Sequence, residues 1–154
     1  MTRRPLGLLV MAYGGPQSVD DLPGYLADIR RGRPTPRAVV DEIAHNYRSI
    51  GGASPLLAMT RRQVAALAER LRTDRFECYL GMRHWAPWIE DAVANMVDAG
   101  VTHAVSLVLA PHYSRMSVGA YQQRIAEDVG DDEGDQPPGA AGAGEAATFD
   151  PAEL

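Results

Sequence analysis

Apolar positions along this chain alternate between two periods. Leu6–Tyr13 is nearly continuous in apolar residues and ends in Gly14-Gly15-Pro16. A run of that length closed by breakers predicts a buried parallel strand and a tight turn. Leu22, Tyr25, Leu26 and Ile29 then recur at helical spacing, with Ser18 or Asp20 as the cap and Gly32 as the stop. Val40, Ile43, Ala44 and Tyr47 form a second stripe started by Pro36, and Val64, Leu67, Ala68 and Leu71 a third capped by Thr60. Phe76–Met82 reads as a second strand. Pro87 opens a helix carrying Ile89, Val93, Met96 and Val97, which Gly100 ends. Ala104–Ala110 reads as a third strand, bounded by Pro111. Ser117 caps a last helix running through Tyr121 to about Asp128.

Strands that alternate with helices predict an α/β fold: a parallel sheet with helices on both faces, Rossmann- or flavodoxin-like. Ligands of such sheets bind beyond the carboxyl ends of the strands. Tyr13, His84 and His112 each follow a predicted strand end and so fall on one rim. From Gly130 the pattern stops. Gly130–Pro138 is acidic and rich in breakers, and Ala140–Ala147 is Gly/Ala low complexity. The expectation is one folded lobe over residues 1–129 and a disordered tail over 130–154.

Composition narrows the classes. No stretch approaches the roughly 18 apolar residues of a membrane span, and the short N-terminal apolar run does not read as a secretory signal. A single cysteine, Cys78, excludes an internal disulfide and fits a reducing cytoplasm. All 15 basic residues are arginines, so every cation is a planar fork suited to carboxylates and no lysine base is available. A net charge of −5 argues against general nucleic-acid binding.

Taken residue by residue, the candidate chemistry has two readings at each point. Tyr13 is either a strand-end tyrosine with its ring in the core or a residue of a binding face. Gly14-Gly15 could let backbone N–H groups approach an anion, although neither a G-x-G-x-x-G nor a Walker pattern is present. Arg30, Arg31 and Arg33 either complement a helix dipole or capture carboxylates bidentately. Gly51-Gly52 and Ser54 form a cap and turn, or a place where backbone approaches a flat ligand. His45, His84, His103 and His112 show no metal-ligand spacing.

Six stretches in order carry a resemblance. They are Gly7–Pro16, Asp28–Arg33, Tyr47–Leu56, Gly81–Pro87, Ile89–Val93 and Val108–Ser114. Together, over about Leu6 to Tyr121, they resemble the first half of a ferrochelatase, most closely the bacterial branch that uses coproporphyrin III. That family inserts ferrous iron into a porphyrin to make haem. The resemblance implies a chelatase-like lobe. It implies porphyrin contacts at Tyr13, Arg30, Arg31, Tyr47, Ser54, His84 and Tyr121, with Tyr13 near the metal. The histidine and glutamate that handle the metal in that family lie in its second half, which has no counterpart in this chain.

Porphyrin and ferrous iron are then substrates, with no resident cofactor. The porphyrin is coproporphyrin III or protoporphyrin IX, and the grip and one face of the pocket come from this lobe. Two rival readings stand beside this one: a non-catalytic tetrapyrrole-binding module, and a half-size chelatase that pairs with itself through His84 or His112.

Overall fold

The computed structural model describes residues 6–71, 75–110, 118–127 and 146–149. Three strands, β1 (Leu6–Ala12), β2 (Phe76–Met82) and β3 (Ala104–Val108), form a parallel sheet with β1 in the middle. Leu6 pairs with Phe76 and Ala12 with Met82 on one side of β1, and Gly7 pairs with Ala104 and Met11 with Val108 on the other. The β1–β2 connection carries α1 (Leu22–Ile29), α2 (Arg37–Ser49) and α3 (Leu56–Leu71). Helix α4 (Ile89–Asp98) joins β2 to β3, and α5 (Val118–Glu127) follows β3. This is the α/β lobe expected from the alternation of periods.

The central strand explains its own apolar run. Leu8 to Ala12 are all buried, because both faces of a parallel sheet are covered. Successive side chains of β1 point to opposite faces. Leu9 and Met11 pack with Ile89, Val93 and Met96 of α4 and with Val118, Tyr121 and Ile125 of α5. Ala12 packs the other way, with Met82 and with Leu57 of α3. A third cluster of Leu22, Tyr25 and Ala44 joins α1 to α2 and takes in Trp85 and Tyr47.

Two expected boundaries are corrected, and one further strand appears. Helix α3 starts at Leu56, not after Thr60. The hydroxyl of Thr60 donates to the carbonyl of Leu56 within the helix at 2.9 Å. The start signal is Ser54-Pro55: the Leu56 amide donates to Ser54 Oγ at 3.3 Å, and the Met59 amide to the Pro55 carbonyl at 3.0 Å. Strand β3 ends at Val108, two residues short of Ala110. The segment expected to lack structure carries β4 (Ala146–Phe149), which pairs antiparallel with β3 from Ala104↔Phe149 to Leu107↔Ala146. A pleated ladder needs only backbone groups, so a Gly/Ala-rich segment without an apolar stripe can still add an edge strand. The rest of 130–154, like His112 and Ser117, lies outside the described residues.

Candidate functional site

The carboxyl ends of β1 and β2 are tied together beyond their paired residues. The amide of Arg83 donates to the carbonyl of Ala12 at 3.0 Å, and the amide of His84 to that of Tyr13 at 2.9 Å. Parallel pairing thus continues into the loop and sets Tyr13 beside His84, with ring centroids 4.5 Å apart and planes tilted by 55°. The Gly14-Gly15 turn makes this tight passage possible. Gly14 sits at φ +90°, and a Cβ there would meet the Trp85 backbone nitrogen at 2.9 Å; one on Gly15 would meet Ser54 Oγ at 2.5 Å. These glycines serve close packing of loop against loop, so the anion-cradle reading is not needed to explain them.

The end of α1 supplies the opposite wall. The helix closes in a Schellman arrangement: the Gly32 amide donates to the Ala27 carbonyl at 2.7 Å and the Arg31 amide to the Asp28 carbonyl at 3.0 Å. Glycine usually takes the left-handed position in this motif. Here Arg31 takes it, at φ +54°. An L-residue with a Cβ is held there at a cost of about 1–2 kcal/mol. Such outliers concentrate at functional sites.

Between these walls lies an open cavity of about 620 Å³ lined by Tyr13, Ile29, Arg30, Arg31, Arg33, Arg83, His84, Ala120 and Gln123. A second hollow of about 370 Å³ adjoins it, sharing Arg31, Arg83 and His84 and adding Asp28 and Arg124. Four guanidinium groups around one cavity have the charge and donor geometry that suit a polyanion. Tyr13 is 43% exposed, so its ring is available at the mouth.

His84 is buried, and its Nδ1 lies 2.7 Å from Asp28 Oδ2. Burial lowers its pKa from the ordinary histidine value, and Arg83 and Arg124 push the same way against the pull of Asp28. The guanidinium of Arg83 lies over the Tyr121 ring, 5.4 Å from its centroid. Tyr121 is buried in the core, and burial raises its phenol to about 12, with Arg83 opposing. The ring therefore remains neutral and supports the cation from below.

Four of the seven residues singled out in the sequence, Tyr13, Arg30, Arg31 and His84, line this one cavity. The other three do not. Tyr121 lies beneath Arg83. Ser54 packs on the Gly15 backbone and starts α3. Tyr47 sits in the α1–α2 cluster against Tyr25, and burial raises its phenol. Sequence reasoning passed over Arg83 and Arg124. Arg83 could have been found by the signal that found His84, since it too directly follows a strand; Arg124 shows only in three dimensions.

Comparison with known proteins decides the family. The family model described as ferrochelatase matches residues 5–139. The chain belongs to the ferrochelatase family. Among curated relatives, it is 57% identical over 125 residues to the ferrochelatase of Deinococcus radiodurans, covering 80% of this chain and 40% of that protein. It is 42% identical over 137 residues to a protein of Bacillus cereus named coproporphyrin III ferrochelatase 2, covering 84% and 43%. It is 45% identical over 128 residues to the coproporphyrin III ferrochelatase of Geobacillus kaustophilus, covering 80% and 40%. The chain thus spans about 40% of the length of these ferrochelatases.

Proposed function

We propose that this chain forms the porphyrin-gripping lobe of a ferrochelatase of haem biosynthesis, with coproporphyrin III as the macrocycle and ferrous iron as the ion inserted. The observation that carries this reading is the 620 Å³ cavity with Tyr13 at its mouth and Arg30, Arg31, Arg33 and Arg83 around it. A porphyrin is a flat apolar disc with carboxylates at its rim. Guanidinium groups grip carboxylates in pairs of parallel hydrogen bonds, and four of them suit four propionates better than two. Arg83 is the best preorganised of the four, since the Tyr121 ring supports it. Tyr13 and His84 stand together at the strand ends, where one face of the disc would rest.

Metal insertion also requires removal of two pyrrole protons and delivery of a dehydrated ion. Among the described residues no group of three His, Cys, Asp or Glu side chains could hold a metal ion. In this reading those functions come from a complementary lobe, and this chain supplies grip and one wall. The reading places the protein in the cytoplasm, where Cys78 stays reduced. Among the described residues no helix is long and apolar enough to cross a membrane.

The test is titration of coproporphyrin III into the wild type and into Arg30→Ala. A charge-assisted hydrogen bond is worth roughly 1.5–3 kcal/mol. Arg30 is exposed, so screening reduces this to the low end. A loss of affinity of about tenfold is expected; equal affinities would count against the assignment.

A further inference from the structure

A chain of three side chains from separate elements ends on one imidazole. His84 follows β2, Asp28 lies on α1, Glu90 on α4 and Arg124 on α5. Asp28 divides its two oxygens: Oδ2 lies 2.7 Å from His84 Nδ1, and Oδ1 lies 3.8 Å from Arg124 Nη1. Arg124 is held in turn. Its Nε donates to Glu90 Oε1 at 2.6 Å, and its guanidinium lies 5.5 Å from the centroid of the Trp88 ring. The Tyr13 ring packs against the imidazole, and the Tyr13 carbonyl accepts from the His84 amide.

A carboxylate oxygen offers only lone pairs, so His84 Nδ1 must carry the hydrogen. A neutral imidazole has one N–H, and its second nitrogen then keeps a lone pair. The other polar groups lining the cavity are four guanidinium groups, the Tyr13 hydroxyl and the Gln123 amide. Guanidinium groups only donate. An accepting imidazole nitrogen adds to the few acceptors of the site, the Tyr13 hydroxyl and the Gln123 amide oxygen.

We propose that Asp28 is a positioning residue that holds His84 in the Nδ1–H tautomer, with Arg124 and Glu90 holding Asp28. Nε2 becomes a hydrogen-bond acceptor on a ring that lines a cavity of cationic donors. The guest it selects carries an N–H group as well as carboxylates. This deepens the porphyrin reading and rests on it for the guest, since a free-base porphyrin carries two pyrrole N–H groups. The tautomer itself does not depend on that reading. The arrangement resembles the outer-sphere carboxylates that set histidine tautomers elsewhere.

The experiment is a long-range proton–nitrogen correlation spectrum of the nitrogen-15-labelled 154-residue chain at neutral pH. His84 should show a protonated Nδ1 and a bare Nε2. Asp28→Ala should move it toward the Nε2–H form that free histidine prefers. A wild-type spectrum in the Nε2–H form overturns the proposal, and this needs no variant to fold. An unchanged tautomer in folded Asp28→Ala overturns it as well. In parallel, Asp28→Ala should weaken coproporphyrin III binding roughly tenfold, with no further loss when combined with His84→Ala. Additive losses would contradict the proposal. If the wild type binds no porphyrin at all, the functional reading fails and the tautomer result still stands or falls by itself.

Discussion

The His84 amide donates to the carbonyl of Tyr13 at 2.9 Å, and the two rings stand 4.5 Å apart. One backbone bond beyond the last paired residues of two strands therefore sets two lining residues of the cavity side by side. The pairing brings residues 71 positions apart in sequence onto one rim, and Arg30, Arg31 and Arg33, which follow the end of α1, close the opposite side.

Arg31 at φ +54° separates stability from binding. Replacing it with glycine relieves the left-handed strain but loosens the unfolded chain. Arg31→Gly should raise unfolding free energy by roughly 0.5–1 kcal/mol while weakening coproporphyrin III binding. Urea denaturation and porphyrin titration of the same sample check both halves. A variant less stable than the wild type would show that the arginine side chain contributes more to the fold than the strain costs.

Two glycines with positive φ should differ sharply. Gly14 has the Trp85 nitrogen 2.9 Å from where a Cβ would stand, whereas Gly51, at φ +101°, has nothing within 4 Å. Gly14→Ala combines strain with overpacking and should cost roughly 2–4 kcal/mol. Gly51→Ala carries strain alone, about 1–2 kcal/mol. Denaturation midpoints of the two variants give the order directly; the reverse order would sink this reading of the turn.

Stability should fall with mild acid through His84. Its folded pKa lies below the ordinary value of 6.5, because burial, helped by Arg83 and Arg124, outweighs the hydrogen bond and charge of Asp28. The unfolded chain therefore takes up the proton first as pH drops. The contribution is intact above pH 6.5 and is lost progressively below it. Urea midpoints at pH 7.5 and 5.5 should show this loss, and His84→Gln should flatten the dependence. An unchanged slope in that variant would assign the effect to other groups.

The chain by itself should not insert iron. No metal-holding group of three occurs among the described residues, and a base for two pyrrole protons is still required. An anaerobic assay with ferrous iron and coproporphyrin III should show no turnover until a complementary lobe is supplied. Turnover by the purified chain, abolished by His84→Ala or His112→Ala, would favour the self-pairing chelatase.

The sheet was legible because β1 is buried on both faces and so reads as an unbroken apolar run. The rim followed from strand ends, which placed Tyr13 and His84 correctly. What escaped had physical causes. Thr60 has the side chain of a cap but spends its hydroxyl on the preceding turn. Strand β4 has no apolar stripe to betray it. The Asp28–Arg124–Glu90 network joins three helices, and no local period records such contacts.

The central claim is that guanidinium groups around this cavity hold the carboxylates of a porphyrin. Fluorescence titration with three macrocycles tests it: coproporphyrin III with four carboxylates, protoporphyrin IX with two, and coproporphyrin III tetramethyl ester with none. Affinity should fall in that order, and the difference between the first and last should shrink in Arg83→Ala. Equal binding of the acid and its neutral ester would contradict the claim.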